Sequence, residues 1–262
     1  MQLIAVDIGN SSTKIAVQGE DSSADWAERF TFRHDDLIDF SLPDHTACWS
    51  VCSVNEKRLK TLTAWINKNR SHDKVHVIAA DEVPIKSAVE SREKTGRDRL
   101  VAAWMATEIA DHTSVVVVDA GTAVTIDAVK DHIFQGGVIF PGAETCLRQM
   151  SQSAPALPDL SDRSSLSKLD DILQKVAQPS TVSAILSGVY QNQIAAITNI
   201  ATKMALDVGK QCRVFTTGGG IADIQNHLPQ EWNFVPDLVL HGAKAIGQKL
   251  LQKELDALEP QE

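Results

Sequence analysis

An aspartate two residues before a glycine, closing an apolar run, occurs twice in this 262-residue chain. The first copy reads Asp7-Ile8-Gly9-Asn10-Ser11-Ser12-Thr13-Lys14, the second Asp119-Ala120-Gly121-Thr122-Ala123-Val124-Thr125. Glycine has no Cβ, so the backbone at Gly9 and Gly121 can approach a ligand closely. The residues that follow, Asn10, Ser11 and Ser12 in one turn and Thr122 and Ala123 in the other, offer backbone N–H groups and short hydroxyls, the makings of a phosphate cradle. Asp7 suits Mg²⁺ held through its water shell, because magnesium takes few carboxylates and many waters. Lys14 either gives a phosphate a point charge or lies solvated at the hairpin edge. A third glycine element, Thr216-Thr217-Gly218-Gly219-Gly220, follows a strand and leads towards a helix, where glycines make room for a nucleotide. It is not GxGxxG, so a dinucleotide fold is not indicated. An ordinary hairpin also uses Asp and Gly for turn geometry. The matched pair and the third element together point to a nucleoside triphosphate held between two lobes.

A second constellation is Thr95-Gly96-Arg97-Asp98-Arg99, just ahead of a helical period starting at Leu100. Arginine's planar fork suits a substrate carboxylate, and Asp98 can accept a hydroxyl proton. The competing reading is a plain helix cap, since aspartate caps helices well.

These turns need strands on both sides, and the sequence supplies them. Asp7, Gly9, Thr13 and Val17 recur 112 residues later as Asp119, Gly121, Thr125 and Val129, an internal repeat that predicts two related domains with a cleft between them. Apolar β-branched runs predict strands at Leu3–Val6, Thr13–Val17, Arg29–Phe32, Cys48–Val51, Val75–Ala79, Ser114–Val118, Val124–Ala128, His132–Ile139 and Val214–Thr217. Periods near 3.6 residues predict helices through Leu100–Ala110, Leu186–Met204 and Leu240–Leu258. The polar stretch Ser151–Ser180 predicts loop with one short helix near Leu166–Val176. Strands alternating with helices make the chain α/β.

Composition narrows the function classes. With 25 Lys and Arg against 34 Asp and Glu, the net charge of −9 argues against a general nucleic-acid or anionic-membrane binder. The uncharged stretch Val176–Thr202 contains Gln191, Asn192, Gln193 and Asn199, so it reads as a soluble amphipathic helix and not a membrane span. Cys48, Cys52, Cys146 and Cys212 form no CxxC pair and read as reduced, largely buried thiols. Met1-Gln2 runs directly into Leu3–Val6 without a signal-peptide pattern, which makes the cytoplasm the expected compartment.

Taken in order, Asp7-x-Gly9-Asn10, Gly96-x-Asp98-Arg99, Asp119-x-Gly121-Thr122-Ala123-x-Thr125, Gly136-Gly137-x-Ile139-x-Pro141-Gly142 and Thr217-Gly218-Gly219 resemble the motifs of type III pantothenate kinases. That family belongs to the superfamily of acetate and sugar kinases, heat-shock chaperones and actin. The resemblance implies two actin-like (ribonuclease H-like) domains with mixed sheets flanked by helices. It implies that Asp7, Ile8, Gly9, Asn10, Ser11, Ser12, Thr13 and Lys14 form the first ATP phosphate loop, and that Thr122 also touches the phosphates. Gly96, Arg97, Asp98 and Arg99 would line the pantothenate pocket with Asp98 as proton acceptor, and Thr181 would be a further substrate contact. Asp119 would hold a monovalent cation, K⁺ or NH₄⁺, beside the Mg²⁺ that accompanies ATP, and the enzyme would be a homodimer. Two positions depart from the family: Ser11 stands where threonine is usual, and no tyrosine precedes Gly96, where the chain reads Ser87-Ala88-Val89-Glu90-Ser91. The second departure falls on the wall of the pantothenate pocket and not on the kinase chemistry.

The expectation is thus an ATP-dependent pantothenate kinase for the first step of coenzyme A synthesis. Residues 1–112 would form an N-terminal domain with the first phosphate loop and the substrate motif. Residues 113–262 would form a C-terminal domain with the second loop and the adenosine-side glycines. A related kinase acting on a different hydroxyl, and a non-catalytic ATP-binding regulator, are the alternatives.

Overall fold

The computed structural model describes residues 2–19, 26–33, 42, 45–111, 114–209 and 211–257. Two compact units emerge, one formed by residues 1–85, 89–105 and 237–262, the other by 86–88 and 106–236.

The first unit holds strands β1 (Gln2–Ile8), β2 (Ser12–Val17), β3 (Glu28–Arg33), β4 (Ala47–Ser53) and β5 (Lys74–Val77), with helix α1 (Glu56–Asn69) between the last two. Their order is β3-β2-β1-β4-β5; β1, β2 and β3 are antiparallel neighbours, while β4 and β5 run parallel to β1. Alternation along β1 sends Ile4, Val6 and Ile8 into a core with Ile15, Val17, Trp49, Val51 and the α1 residues Leu62 and Ile66. The opposite face receives helix α7 (Leu238–Asp256), which packs on β1 and β4. Ser50 Oγ donates to Ala243 O at 2.7 Å, and a Cβ on Gly247 would lie 2.7 Å from Leu3 Cδ1, so the helix lies close against the sheet. Helix α2 (Arg97–Ala110) meets α7 at Gly242, where a Cβ would stand 3.1 Å from Val101 O.

The second unit repeats the topology. Strands β7 (Val115–Ala120), β8 (Ala123–Lys130), β9 (Ile133–Pro141), β10 (Arg213–Thr217) and β11 (Asn233–Phe234) lie in the order β11-β10-β7-β8-β9, with the short β6 (Lys86–Ser87) added beyond β9. The first three in sequence are antiparallel and the next two parallel to β7, as in the first unit. Helices α3 (Ala143–Ser153), α4 (Leu169–Leu173) and α5 (Thr181–Val208) separate β9 from β10, and α6 (Gly219–Ile224) follows β10. Ile185, Leu186, Val189, Ile197 and Ala201 of α5 pack with Val116, Val118, Val124 and Ile126. The apolar face of α5 is therefore a wall of this core. Among the described residues no helix is long and apolar enough to cross a membrane.

Two mixed sheets of one topology make the α/β, actin-like architecture the sequence led us to expect. The domain limits differ from the expectation. Residues 112 and 113, where the boundary was placed, lie outside the described residues, as does Leu258 of the last helical period. The C-terminal helix, expected in the second domain, belongs to the first unit, because Ala243, Ile246 and Gly247 bury against β1 and β4. The short helix predicted near Leu166–Val176 is a 3-10 turn at Arg163–Lys168 followed by α4. None of the four cysteines is assigned to a disulfide, and Cys48 and Cys52 are buried.

Asp73 anchors the start of β4. Its carboxylate accepts from Ala47 N at 2.9 Å, Trp49 Nε1 at 2.8 Å and Arg70 Nε at 2.5 Å, with its side chain only 3% exposed. Burial alone would raise its pKa, but these donors, led by Arg70, outweigh it and hold the carboxyl below the usual range. A depressed folded-state value contributes stability above the unfolded pKa of about 4 and loses it as pH falls through the folded value. Asp73→Asn is expected to cost about 1.5–3 kcal/mol at pH 7 and to flatten the loss of stability below about pH 4. Urea unfolding at pH 7 and pH 3 measures both; equal acid sensitivity in the two proteins would contradict the assignment.

Candidate active site

The first acidic turn closes β1 and β2 into a hairpin. Gly9 N donates to Ser12 O at 3.0 Å, and Asp7 pairs in register with Lys14 on one side and with Cys52 of β4 on the other. Registered neighbours share a face, so Lys14, Asp7 and Cys52 form one row across the sheet, on the face that carries α7. The Cys52 thiol is pushed well above its ordinary pKa by burial first, then by the carboxylates of Asp7 and Asp98, while the Arg97 guanidinium pulls the other way. The thiol is neutral, and the Asp7 and Asp98 carboxylates both bear on it.

The Gly96–Arg99 motif opens α2. The helix starts at Arg97, so Gly96 takes the capping position and Asp98 sits inside the first turn; the cap reading for Asp98 is not what the structure has. Arg99 N donates to Asp98 Oδ1 at 2.8 Å. A Cβ on Gly96 would fall 2.5 Å from that same oxygen, so glycine lets the carboxylate fold back over the helix start. Arg97 Nη1 donates to Ser53 O at 3.1 Å, tying the motif to the end of β4. The preceding loop is stapled by Arg92, whose guanidinium donates to the carbonyls of Ala80 at 2.9 Å, Val83 at 2.7 Å and Ile85. Neither Arg92 nor Cys52 stood out as a site residue in the sequence: Arg92 grips backbone carbonyls of a loop that carries no side-chain pattern, and Cys52 meets Asp7 from 45 residues away.

The second unit carries the second acidic turn on a matching frame. Asp119 pairs in register with Thr125 of β8 and Thr217 of β10, so the row that reads Lys14–Asp7–Cys52 in the first unit reads Thr125–Asp119–Thr217 here. Gly121 N donates to Ala123 O at 3.0 Å. Thr122 O is gripped twice, by Gly142 N at 3.0 Å and by Thr145 Oγ1 at 2.6 Å. The Gly136–Gly142 motif thus has a physical role: a Cβ on Gly142 would run into Gly121 O. Gln193, buried at 3% exposure, donates to Pro141 O at 2.9 Å and braces this corner from α5. Gly218, at φ 92°, lies against Asp119, and a Cβ there would be 2.5 Å from Asp119 Oδ1. Thr181 is the first residue of α5, exposed, after its cap Ser180.

The two units thus each hold one acidic glycine turn, and in the first unit Arg97 also ties the start of α2 to the end of β4, beside the strand that carries Asp7. Residues 3–203 match the family model for type III pantothenate kinase. The chain belongs to the type III pantothenate kinase family. Relatives of that name include one from Dehalococcoides mccartyi strain 195, 28% identical over 94% of this chain and 97% of its own length, and one from Maricaulis maris, 27% identical over 92% and 95%. Another, from Desulfovibrio desulfuricans, is 32% identical over 64% of this chain and 63% of its own. Among solved structures, a Baf-family protein from Campylobacter jejuni shares the fold with a TM-score of 0.61 at 22% identity, covering 96% of this chain and all of that one. The activator of 2-hydroxyisocaproyl-CoA dehydratase from Clostridium difficile, with bound ADPNP, shares it with a TM-score of 0.53 at 14% identity over the whole of both chains. Membership in the pantothenate kinase family makes the protein a phosphotransferase. The motifs named above are where its family resemblance and its local geometry coincide.

Proposed function

We propose that this kinase transfers the γ-phosphoryl group of ATP to the primary hydroxyl of pantothenate, with Asp98 as the proton acceptor. The observation that supports this most directly is the register of Asp7 with Cys52 of β4, next to Ser53, whose carbonyl accepts from Arg97 at 3.1 Å, with the Asp98 carboxylate acting on the same buried thiol. An acid of the proposed phosphate loop on β1 and a candidate base in the first turn of α2 thereby bear on one thiol. Phosphoryl transfer asks a protein mainly for alignment and charge neutralisation. In this reading the loop from Asp7 through Ile8, Gly9, Asn10, Ser11, Ser12 and Thr13 to Lys14 holds the ATP phosphates, and Thr122 contacts them as well. Asp98 orients the pantothenate hydroxyl and takes its proton as the oxygen bonds to phosphorus and the bond to the ADP oxygen breaks. Arg99 anchors the pantothenate carboxylate, with Gly96, Arg97 and Thr181 completing the pocket. Arg97, bonded to Ser53 O, also holds the motif in place.

The donors present suit the expected ions. Among the described residues no three His, Cys, Asp or Glu side chains gather into a cage. A nucleotide-borne Mg²⁺ needs only one or two carboxylates and waters, and Asp7 supplies one. The second row offers oxygen only: the Asp119 carboxylate with Thr125 and Thr217 hydroxyls in register, and an Ala120 carbonyl aimed at Gly218. Such a set favours K⁺ or NH₄⁺ over a softer metal. When bound, these cations would spread phosphate charge. The reading also includes a homodimer, supported by Ile139 of β9 standing 60% exposed, and a cytoplasmic setting, with which four cysteines outside any disulfide agree.

The test is formation of 4′-phosphopantothenate by the purified protein with ATP and Mg²⁺. Product is expected with potassium or ammonium, and little of it with sodium alone. Equal rates in sodium would remove Asp119 from the cation role, and no product in any salt would overturn the kinase reading.

A further inference from the structure

Asp237 immediately precedes α7, at the place where residues normally cap a helix with their own side chain. It does not do so: its carboxylate makes no hydrogen bond to the α7 backbone. Instead Oδ1 accepts from Lys14 Nζ at 2.9 Å and Oδ2 from Arg29 Nη1 at 3.1 Å. Its backbone is left-handed, with φ 56° and ψ 35°, a conformation that costs a non-glycine residue energy. Asp237 is also the residue at which the chain rejoins the first unit. A helix-start aspartate that sacrifices its cap and accepts a strained backbone has its carboxylate committed elsewhere, and local rules are broken in this way where function demands it.

What the carboxylate holds is the lysine of the first phosphate loop. Lys14 stands in register opposite Asp7, and with side chains 27% and 19% exposed the Lys14–Asp237 pair is half-sheltered from water. A lysine carries its charge on a flexible four-carbon stem, so an ammonium at a phosphate site is useful only if something fixes it. We propose that Asp237 is a positioning residue that holds the Lys14 ammonium beside Asp7, where nucleotide phosphates arrive. The inference rests on the reading of Lys14 as a phosphate contact. An ammonium has three donors, so one lysine can serve a carboxylate and a phosphate oxygen together. Arg29, 57% exposed, steadies the other oxygen of the same carboxylate.

A double-mutant cycle on the full-length protein tests this, using Lys14→Met, Asp237→Asn and the pair, with KM for ATP and kcat measured separately. Asn and Gly both tolerate the left-handed backbone, so Asp237→Gly serves as a second variant that keeps the helix start unstrained. Lys14→Met is expected to raise KM for ATP about tenfold, the effect of one charge-assisted hydrogen bond. Both Asp237 variants should raise it by several-fold with kcat nearly unchanged, and the double mutant should match Lys14→Met alone. If Lys14→Met raises KM while the Asp237 variants leave it alone or add to it independently, Asp237 is only structural and the inference is overturned. If Lys14→Met itself leaves KM unchanged, the phosphate role of Lys14 fails, and the inference fails with it for that separate reason.

Discussion

Asp98→Asn is expected to lower turnover about 10²–10⁴-fold, the range for loss of a positioned base, while ATP binding measured by titration stays close to wild type. The two parts of the outcome separate because the carboxylate has a structural bond, from Arg99 N, and a proposed chemical task. Asparagine keeps the shape and an oxygen for the bond from Arg99 N, so the start of α2 and its tie to β4 through Arg97 survive. What disappears is a group able to take a proton. In the proposed reaction that group is needed late, when the attacking oxygen has begun to bond to phosphorus, so substrate binding should be spared and the chemical step slowed. A turnover within twofold of wild type would take Asp98 out of the proton-accepting role. A matched loss of ATP affinity would instead mark it as a structural member of the helix start. Rapid-quench measurement of the first turnover distinguishes the chemical step from product release.

Much of this arrangement was legible before any coordinates, and the reason is periodicity. The strands from Leu3 to Val17 and from Val115 to Ala128 announce themselves by alternation and β-branching, and the repeat of Asp-x-Gly marks two hairpins of one design. The repeat also misleads by one residue. Asp7 and Gly9 match Asp119 and Gly121 at an offset of 112, and the sequence extends that offset to Thr13 and Thr125. In the structure Asp7 faces Lys14 while Asp119 faces Thr125, so the second strands correspond at an offset of 111. The second turn is one residue shorter, running from Ala120 to Val124 where the first runs from Ile8 to Thr13. A one-residue change in register sends a side chain to the other face, which is why Thr13 is buried in the core while the shared threonine at Thr125 lies beside Asp119.

Other features were out of reach for a different reason. Helix α1 has a good cap, with Asn55 Oδ1 accepting from Arg58 N at 3.1 Å, but its charged surface obscures the two buried positions, Leu62 and Ile66. Cys52, Gln193 and Asp237 matter through partners 40 or more residues away in sequence, and no local pattern encodes such contacts. The placement of α7 on the first unit is of the same kind. It depends on small residues at Ala243 and Gly247 meeting Ser50 and Leu3, complementarity that only the folded sheet reveals.

Gly218→Ala carries the largest expected effect outside the substrate motif. At φ 92° and ψ 156° Gly218 occupies a region that is almost exclusive to glycine, and forcing alanine into it costs about 1–3 kcal/mol. The added methyl would also collide with Ala120 O and lie 2.5 Å from Asp119 Oδ1, and overpacking against fixed atoms adds about 1–3 kcal/mol more. A chain of this size loses roughly 2–4 °C in Tm per kcal/mol, so a drop on the order of 10 °C is expected. The second collision makes the variant informative about chemistry, because the only soft way to relieve it is to turn the Asp119 carboxylate. If Asp119 serves the monovalent cation, the surviving folded protein should need several-fold more potassium for half-maximal activity. Gly219→Ala is the control: its Cβ would meet nothing within 4 Å and its φ is not positive, so both Tm and potassium dependence should stay near wild type. A destabilised Gly218→Ala protein with unchanged potassium dependence would show that this corner supports the fold of the second turn and does not hold the ion.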